Sequence, residues 1–360
     1  MKVSDSRIDF LDFMRIFAFL SVLIGHKFYG VLAALASDPA QHVSIRYFLE
    51  WLLSLCMGGA AGVVAFFFVS GYIITHVLRV EAAPEFLVKR VFRIYPLYVV
   101  AVLLEVFLAW LLRDAAFPPL SLLLPRLLLL GDIFGTPYAL AGVEWTLRVE
   151  MAFYLFMAIL KVTGLLNKPA WLPLIYLGCV MLLCSIEPFP QFEGGFTGYL
   201  TIYSPFLLIG SLIYLMERRL ANPLHCLSVM ALAMLASLAL VAKVQPFWKE
   251  SHYALLALLV FVSAWWFRRY LVVGPIVRVL SSLTYAIYLM HNWLWPYLSK
   301  FAVILGGTGI ARQLLVLVML FLVCYVLHRL VELPVLRLGR AWSAKYLIVE
   351  PRRENVAEKL

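Results

Sequence analysis

The chain has 360 residues, of which 64% are apolar and only 14% are Asp, Glu, Lys or Arg. An ordinary soluble domain carries about 25% charged residues, so a soluble globule of this composition could not cover its own surface. A typical cytosolic enzyme, a disordered chain and a nucleic-acid binder with a basic reading face are excluded. The formal net charge of +10 then fits cations gathered on the cytoplasmic flanks of a membrane protein.

A helix needs about 20 apolar residues to cross a bilayer. Apolar runs predict ten spans, at roughly 9–33, 59–78, 94–112, 145–165, 171–187, 199–216, 223–243, 252–270, 280–299 and 311–333. The fold class is all-α: a polytopic membrane helix bundle with about ten transmembrane helices. The first run is not a cleavable signal, being long, lacking a small-residue cleavage site and holding Arg15 and His26. The apolar stretch at 119–134 is too short and interrupted to span and reads as interfacial or re-entrant. The chain divides into a transmembrane domain over 1–340 and a charged cytoplasmic tail over 341–360, with irregular structure expected after Arg337. Cys56, Cys179, Cys184, Cys226 and Cys324 form no CxxC pair, so neither a disulfide framework nor a metal site is suggested. With a cytoplasmic N-terminus, the inside segments hold nineteen Lys and Arg and the outside segments eight. That asymmetry predicts ten helices with both termini cytoplasmic.

Ionisable side chains within spans are costly and face the bundle interior or a wet cavity. On the first helix Arg15 and His26 stand 11 residues apart, close to three turns, so they share a face about 16 Å apart along the axis. A cation at one end and an imidazole at the other suit a substrate that is anionic at one end and reacts at the other. The alternative is a snorkelling arginine and an interior hydrogen-bonding histidine. The fourth helix opens with EWTLRVE. Glu144 and Arg148 are spaced to pair with each other, which leaves Glu150 as the carboxylate available to orient His26 and raise its basicity. Arg90 and Arg93 in KRVFRIYP lie on one face at a helix mouth. Two guanidinium forks so placed can grip phosphates, although Arg-rich flanks are common on the cytoplasmic side. The ninth helix, SSLTYAIYLMHN, is the most polar; its His291 falls near mid-span and is a secondary candidate. Glu332 adjoins the cationic tail and is expected in a structural ion pair. Ser70 and Gly71 lie mid-helix in the second span, where small residues let helices approach closely.

R-x10-H (Arg15, His26), FFFVSGYIIT, KRVFRIYPLY, WTLRVEMAFY, LTYAIYLMH and VELPVL occur in this order over residues 7–336. In this the chain resembles the acyltransferase type 3 family of integral membrane proteins. It departs from the family pattern at Thr146, where serine is usual, and at Leu333, where arginine is frequent; neither is a proposed site residue. The resemblance implies an O-acyltransferase that passes an acyl group, commonly acetyl from acetyl-CoA, to a hydroxyl of a carbohydrate or glycolipid such as O-antigen or exopolysaccharide. It also implies a multi-pass protein of a bacterial-type inner membrane. Its partners would be acyl-CoA, a lipid-linked glycan and the bilayer, with no nucleic acid and no permanently bound cofactor. It assigns donor binding to Arg15, Arg90 and Arg93 and catalysis to His26 and Glu150, with attack either direct or through an acyl-His26 intermediate. Two other readings use the same residues: a proton-coupled transporter of an anionic or acylated solute, which predicts inverted repeats and matched broken helices, and a non-catalytic scaffold, which leaves Arg15, His26 and Glu150 unexplained.

Overall fold

The structure is a computed structural model describing residues 8–113, 115–136, 138–191, 197–245 and 252–347. Helix is the only regular secondary structure among the described residues. Each of the ten expected spans coincides with a helix: α1 (Asp9–Lys27), α4 (Ala60–Leu78), α5 (Ala83–Arg113), α8 (Trp145–Val162), α9 (Leu172–Ser185), α10 (Tyr199–Glu217), α11 (Pro223–Val244), α12 (His252–Trp266), α13 (Pro275–Met290) and α15 (Gly309–Leu327). Between and after these lie the shorter α2 (Tyr29–Ser37), α3 (Val43–Cys56), α6 (Leu120–Leu127), α7 (Gly131–Phe134), α14 (Trp295–Ile304) and α16 (Leu333–Tyr346). Five helical stretches among the described residues are long and apolar enough to cross a bilayer unaided, or six if the bent α1–α2 pair is one span. The others fall short for identifiable reasons. α9, α12 and α13 are brief, and α8 carries Arg148, Glu150 and Lys161 in 18 residues.

The bundle is organised around α4, which packs against α1, α10, α8 and α12. Its sequence AAGVVAFFFVSGYIIT carries almost no charge, so it is buried nearly all round, as is α10. Lipid is as apolar as the helix faces, so tight packing rather than hydrophobic exclusion must hold such helices together. Gly71 and Gly210 provide it: a Cβ on Gly71 would sit 1.9 Å from the Leu207 carbonyl oxygen, and one on Gly210 would sit 2.1 Å from that of Phe68. The outward faces of α9, α11, α12 and α15 present Leu174, Leu182, Leu227, Leu235, Leu259, Leu314 and Leu322, a surface suited to hydrocarbon and unsuited to water.

Several expectations need correction. The first span does not run straight to residue 33; the helix bends by 73° where α1 passes into α2. α2, whose first residues fall in the expected first span, and α3, which no span anticipates, form a small hairpin with its own core of Ala36, Leu49 and Leu53. Tyr47, Phe48 and Trp51 point away from it, as aromatic side chains do at a membrane interface. The ninth span is broken: α13 stops at Met290, residues 291–294 form turns, and α14 starts at Trp295. Pro173 and Pro296 occupy first turns of helices, where the missing N–H costs nothing. α16 continues in regular helix past Arg337 to Tyr346; of the tail predicted over 341–360, residues 348–360 lie outside the described residues.

Gly71→Val should prevent accumulation of folded protein, because its branched side chain must displace the α10 backbone. Gly178→Val, at a glycine with open space around it, should accumulate normally. Size-exclusion profiles of the detergent-solubilised variants provide the check.

Candidate active site

Two cavities lie end to end along α1. The inner one, of about 100 Å³, is lined by Arg15, Phe19, Val22, Ser70, Arg90, Arg93, Glu150 and Tyr285 among others. The outer one, of about 250 Å³, is lined by Val22, His26, Gly58, Trp145, Tyr203, His291 and Asn292 among others. Val22, Val63 and Tyr288 belong to both walls. The helical spacing of Arg15, Ala18, Phe19, Val22 and His26 gives α1 one continuous face along both spaces.

At the arginine end, the three predicted cations are held differently. Arg15 Nη1 donates to Asp12 Oδ1 at 3.0 Å, and Asp12, wholly buried, also accepts from Ser281 Oγ at 2.5 Å. Sequence reasoning missed Asp12, although a D-x-x-R spacing on one helix was there to be read. Arg93 Nη1 pairs with Glu332 Oε1 at 2.5 Å, and Glu332 Oε2 lies 2.7 Å from His328 Nδ1. Glu332 is therefore in an ion pair as expected, but with α5 rather than with the tail. Arg90 has no hydrogen bond or salt bridge to any described residue. Its guanidinium lies over the rings of Phe86 and Tyr154, at 5.1 and 5.8 Å, and its Nε is buried without an acceptor. Rings orient a guanidinium plane without consuming its donors, so Arg90 is the cation left ready for an anionic ligand.

At the other end, His26 is set by a close backbone approach. A Cβ on Gly25 would lie 2.1 Å from the Cys56 carbonyl oxygen, so only glycine lets α1 meet the turn Met57–Gly59. Gly58 and Gly59 in that turn are left-handed, with φ of 53° and 72°, the conformation that glycine adopts without penalty. The turn brings the Gly58 carbonyl oxygen to 3.2 Å from His26 Nε2. On its other side His26 Nδ1 lies 3.2 Å from His291 Nε2. His291 is 1% exposed, and its Nδ1 is 2.8 Å from the Tyr288 carbonyl oxygen.

The expected pairing of Glu150 with His26 is not what the structure shows. Trp145 lines the outer cavity and Glu150 the inner one, because five residues of helix carry the chain about 7 Å along its axis. The Glu150 carboxylate instead accepts from Ser70 Oγ at 2.6 Å. His291, expected deeper in the span, reaches the level of His26 because α13 ends just before it. Thr146 also enters the site, lining the inner cavity; its Oγ1 is 2.8 Å from the Tyr288 hydroxyl, which also donates to the Val143 carbonyl at 3.1 Å.

One wall of the outer cavity is a strained turn that sequence reasoning missed altogether. Leu140, Ala141 and Gly142 are consecutively left-handed, at φ of 53°, 53° and 84°, a conformation costly for two non-glycine residues. Two carboxylates, buried Glu144 and half-buried Glu105, clamp it. Glu144 Oε1 accepts from Ala139 N at 2.5 Å and Glu105 Oε2 from Leu140 N at 2.7 Å. Asn292 Nδ2 donates to the Ala141 carbonyl at 3.2 Å, while Asn292 Oδ1 accepts from Lys27 Nζ at 2.8 Å. Arg148 lies 3.5 Å from Glu144, as its spacing predicts, but its closer partner is Asp132 at 2.5 Å, which also accepts from the Tyr199 hydroxyl.

A model of an acyltransferase domain matches residues 8–329. Comparison with curated proteins and with solved structures returns no match. The family match spans nearly the whole chain, including both cavities and the residues at their two ends. The protein is a multi-pass membrane acyltransferase, and the chain belongs to the acyltransferase type 3 family.

Proposed function

We propose that the protein moves an acetyl group from acetyl-CoA to a hydroxyl of a carbohydrate or glycolipid acceptor such as O-antigen or exopolysaccharide. The observation that carries this reading is the pair of adjoining cavities along α1, with cations at one end and an imidazole at the other. Eleven residues of helix separate Arg15 from His26, about 16 Å of rise, on the scale of an extended pantetheine arm. The arginine end faces the cytoplasm of a bacterial-type inner membrane, where acyl-CoA is made, and both termini lie on that side.

Arg90, with its donors open, binds the donor's phosphates; Arg15 and Arg93 add positive charge from positions fixed by Asp12 and Glu332. Glu150 acts on the donor's path beside Ser70. The thioester carbonyl reaches the outer cavity, where the acceptor hydroxyl lies against His26. His26 takes the hydroxyl proton as the oxygen attacks the carbonyl carbon, general-base assistance that contributes about 10²–10⁴-fold. The carbon–sulfur bond breaks, CoA leaves as thiolate, and the imidazolium returns the proton to sulfur. The transporter reading gives way to the family membership.

Arg90→Ala should weaken donor affinity by about 10- to 150-fold, the loss of one or two charge-assisted contacts, with insertion unchanged. Titration of CoA onto the purified protein measures it, and unaltered affinity would reduce the R-x-x-R pair to a topology signal. Arg93→Ala should lose stability as well, because it strands the buried Glu332 carboxylate.

His26→Ala should abolish transfer from radiolabelled acetyl-CoA into a membrane glycolipid extract while the protein stays folded and inserted. Full activity in that variant would refute the mechanism.

Reporter fusions after residues 115, 190 and 305 should report the periplasmic side, and fusions after 85, 165 and 220 the cytoplasm. Inversion at two or more sites would overturn the orientation.

A further inference from the structure

His26 lies within 3.2 Å of the Gly58 carbonyl oxygen and of His291 Nε2, and neither is a carboxylate. The proton count around the pair identifies the state for which the surroundings are built. His291 Nδ1 lies 2.8 Å from the Tyr288 carbonyl oxygen. A carbonyl oxygen only accepts, so this nitrogen carries a proton, and in a neutral ring His291 Nε2 is then a bare acceptor. It faces His26 Nδ1 at 3.2 Å. On the opposite edge His26 Nε2 faces the Gly58 carbonyl, a second acceptor, at 3.2 Å. Neutral His26 owns one N–H for these two acceptors. Either tautomer leaves one contact in which two lone pairs oppose each other; only the imidazolium satisfies both.

We infer that His291 is a positioning residue whose bare Nε2, together with the Gly58 carbonyl, makes the outer cavity complementary to protonated His26. The inference rests on the base role proposed for His26. With Nδ1–H donated to His291, the Nε2 lone pair is left to take the acceptor's proton. Once Nε2 holds that proton, the Gly58 carbonyl is already in place to receive it as a hydrogen bond. The oxygen that lost the proton bonds to the thioester carbon, the sulfur departs with the carbon–sulfur electron pair, and Nε2–H then protonates that sulfur. A neutral imidazole thus does the work that a carboxylate does in a nucleophile–base–acid arrangement. Acceptors fixed in advance where charge develops lower the barrier without reorganisation at the moment of reaction.

The other groups facing the pair come from three elements. Lys27 on α1 is bound to Asn292 at 2.8 Å, Tyr288 comes from α13, and Tyr199 and Tyr203 look across from α10. The Asn292 side chain itself also faces His26. No described carboxylate is hydrogen-bonded to or ion-paired with either imidazole. His291 is buried at 1% exposure, whereas His26 is exposed along the outer cavity, so the acceptor is fixed and the base is open to substrate.

The test uses full-length protein in lipid nanodiscs, radiolabelled acetyl-CoA and a bacterial envelope glycolipid extract as acceptor, with rates followed across neutral pH. His291→Ala should lower the plateau rate by about 10- to 150-fold, the loss of one hydrogen bond to a charged group. It should also move the ascending limb of the pH profile to lower pH by about one to two units, the equivalent of that fold-change. Donor KM should stay unchanged. His291→Gln, whose amide can donate to Tyr288 and accept from His26, should recover most of the rate and return the limb. A reduced plateau with an unmoved limb would leave His291 only a structural role and overturn the inference. So would a wild-type profile in His291→Ala beside an inactive His26→Ala. An active His26→Ala would instead overturn the base assignment beneath it. If His291→Ala fails to insert, the limb in His291→Gln decides: near wild-type supports the acceptor role, and a displaced limb overturns it.

Discussion

A charged or polar group inside a bilayer has only protein to satisfy it, and α1 is built around that constraint. It carries Asp12, Arg15, His26 and Lys27 in 19 residues, and each finds a partner on another element or on its own helix. Asp12 holds Arg15 and is held by Ser281 of α13. His26 sits between the 57–59 turn and His291, and Lys27 reaches Asn292. α1 and α13 are therefore bound together by polar contacts at both ends of the cavities, and the apolar stretch between supplies the passage. The two cavities proposed as the substrate path are what remains between these groups.

Much of this was legible in the sequence because the bilayer enforces it. Ten apolar runs predict ten helices because a spanning segment has few conformations open to it, and Arg15 and His26 share a face because helical periodicity is rigid. The lost information is long-range or lies at breaks. His26 and His291 are 265 residues apart in sequence, and no local pattern reports that they meet. Reading 280–299 as one span put His291 too deep, because hydropathy does not register the break at 291–294. Pairing Glu144 with Arg148 leaves Glu150 for the imidazole, but sequence does not resolve the difference of about 7 Å along the helix that puts Glu150 at the other cavity. α3 escaped because Arg46 and Glu50 break up its apolar signal, and α2 reads as the end of the first span because hydropathy does not register the bend before it.

The turn at 140–142 illustrates a different kind of silence. Nothing in the residues Leu, Ala and Gly announces a left-handed run, and two of the three adopt it at a cost. That cost is met by carboxylates on α5 and at the start of α8, together with a side-chain amide from the 291–294 break. Five elements thereby converge on the rim of the outer cavity: α1, the 57–59 turn, α5, α8 and the segment after α13. A wall held from so many directions has little freedom to yield, which would serve the proposed reaction, in which an acceptor hydroxyl is presented to one nitrogen of His26.

The arginine end, proposed above to bind the donor, follows the opposite rule. Arg15 and Arg93 are tied to acids, whereas Arg90 rests on aromatic faces with its donors unspent. A site for a mobile polyanion gains from this division. Paired arginines stay in place when the ligand leaves, because their partners keep them satisfied in the empty state. An arginine on rings is held in orientation but still lacks acceptors, which the phosphates of the proposed donor would supply. The VELPVL segment then has a reason to close the sequence signature. Glu332 ends a π-helical turn that runs from His328 directly into α16, and that turn aims its carboxylate at Arg93 on α5. The last helices of the chain are in this way fastened to Arg93 by a charge contact whose carboxylate is buried. The geometry of the proposed donor mouth depends on residues more than two hundred positions away from the R-x-x-R motif that defines it.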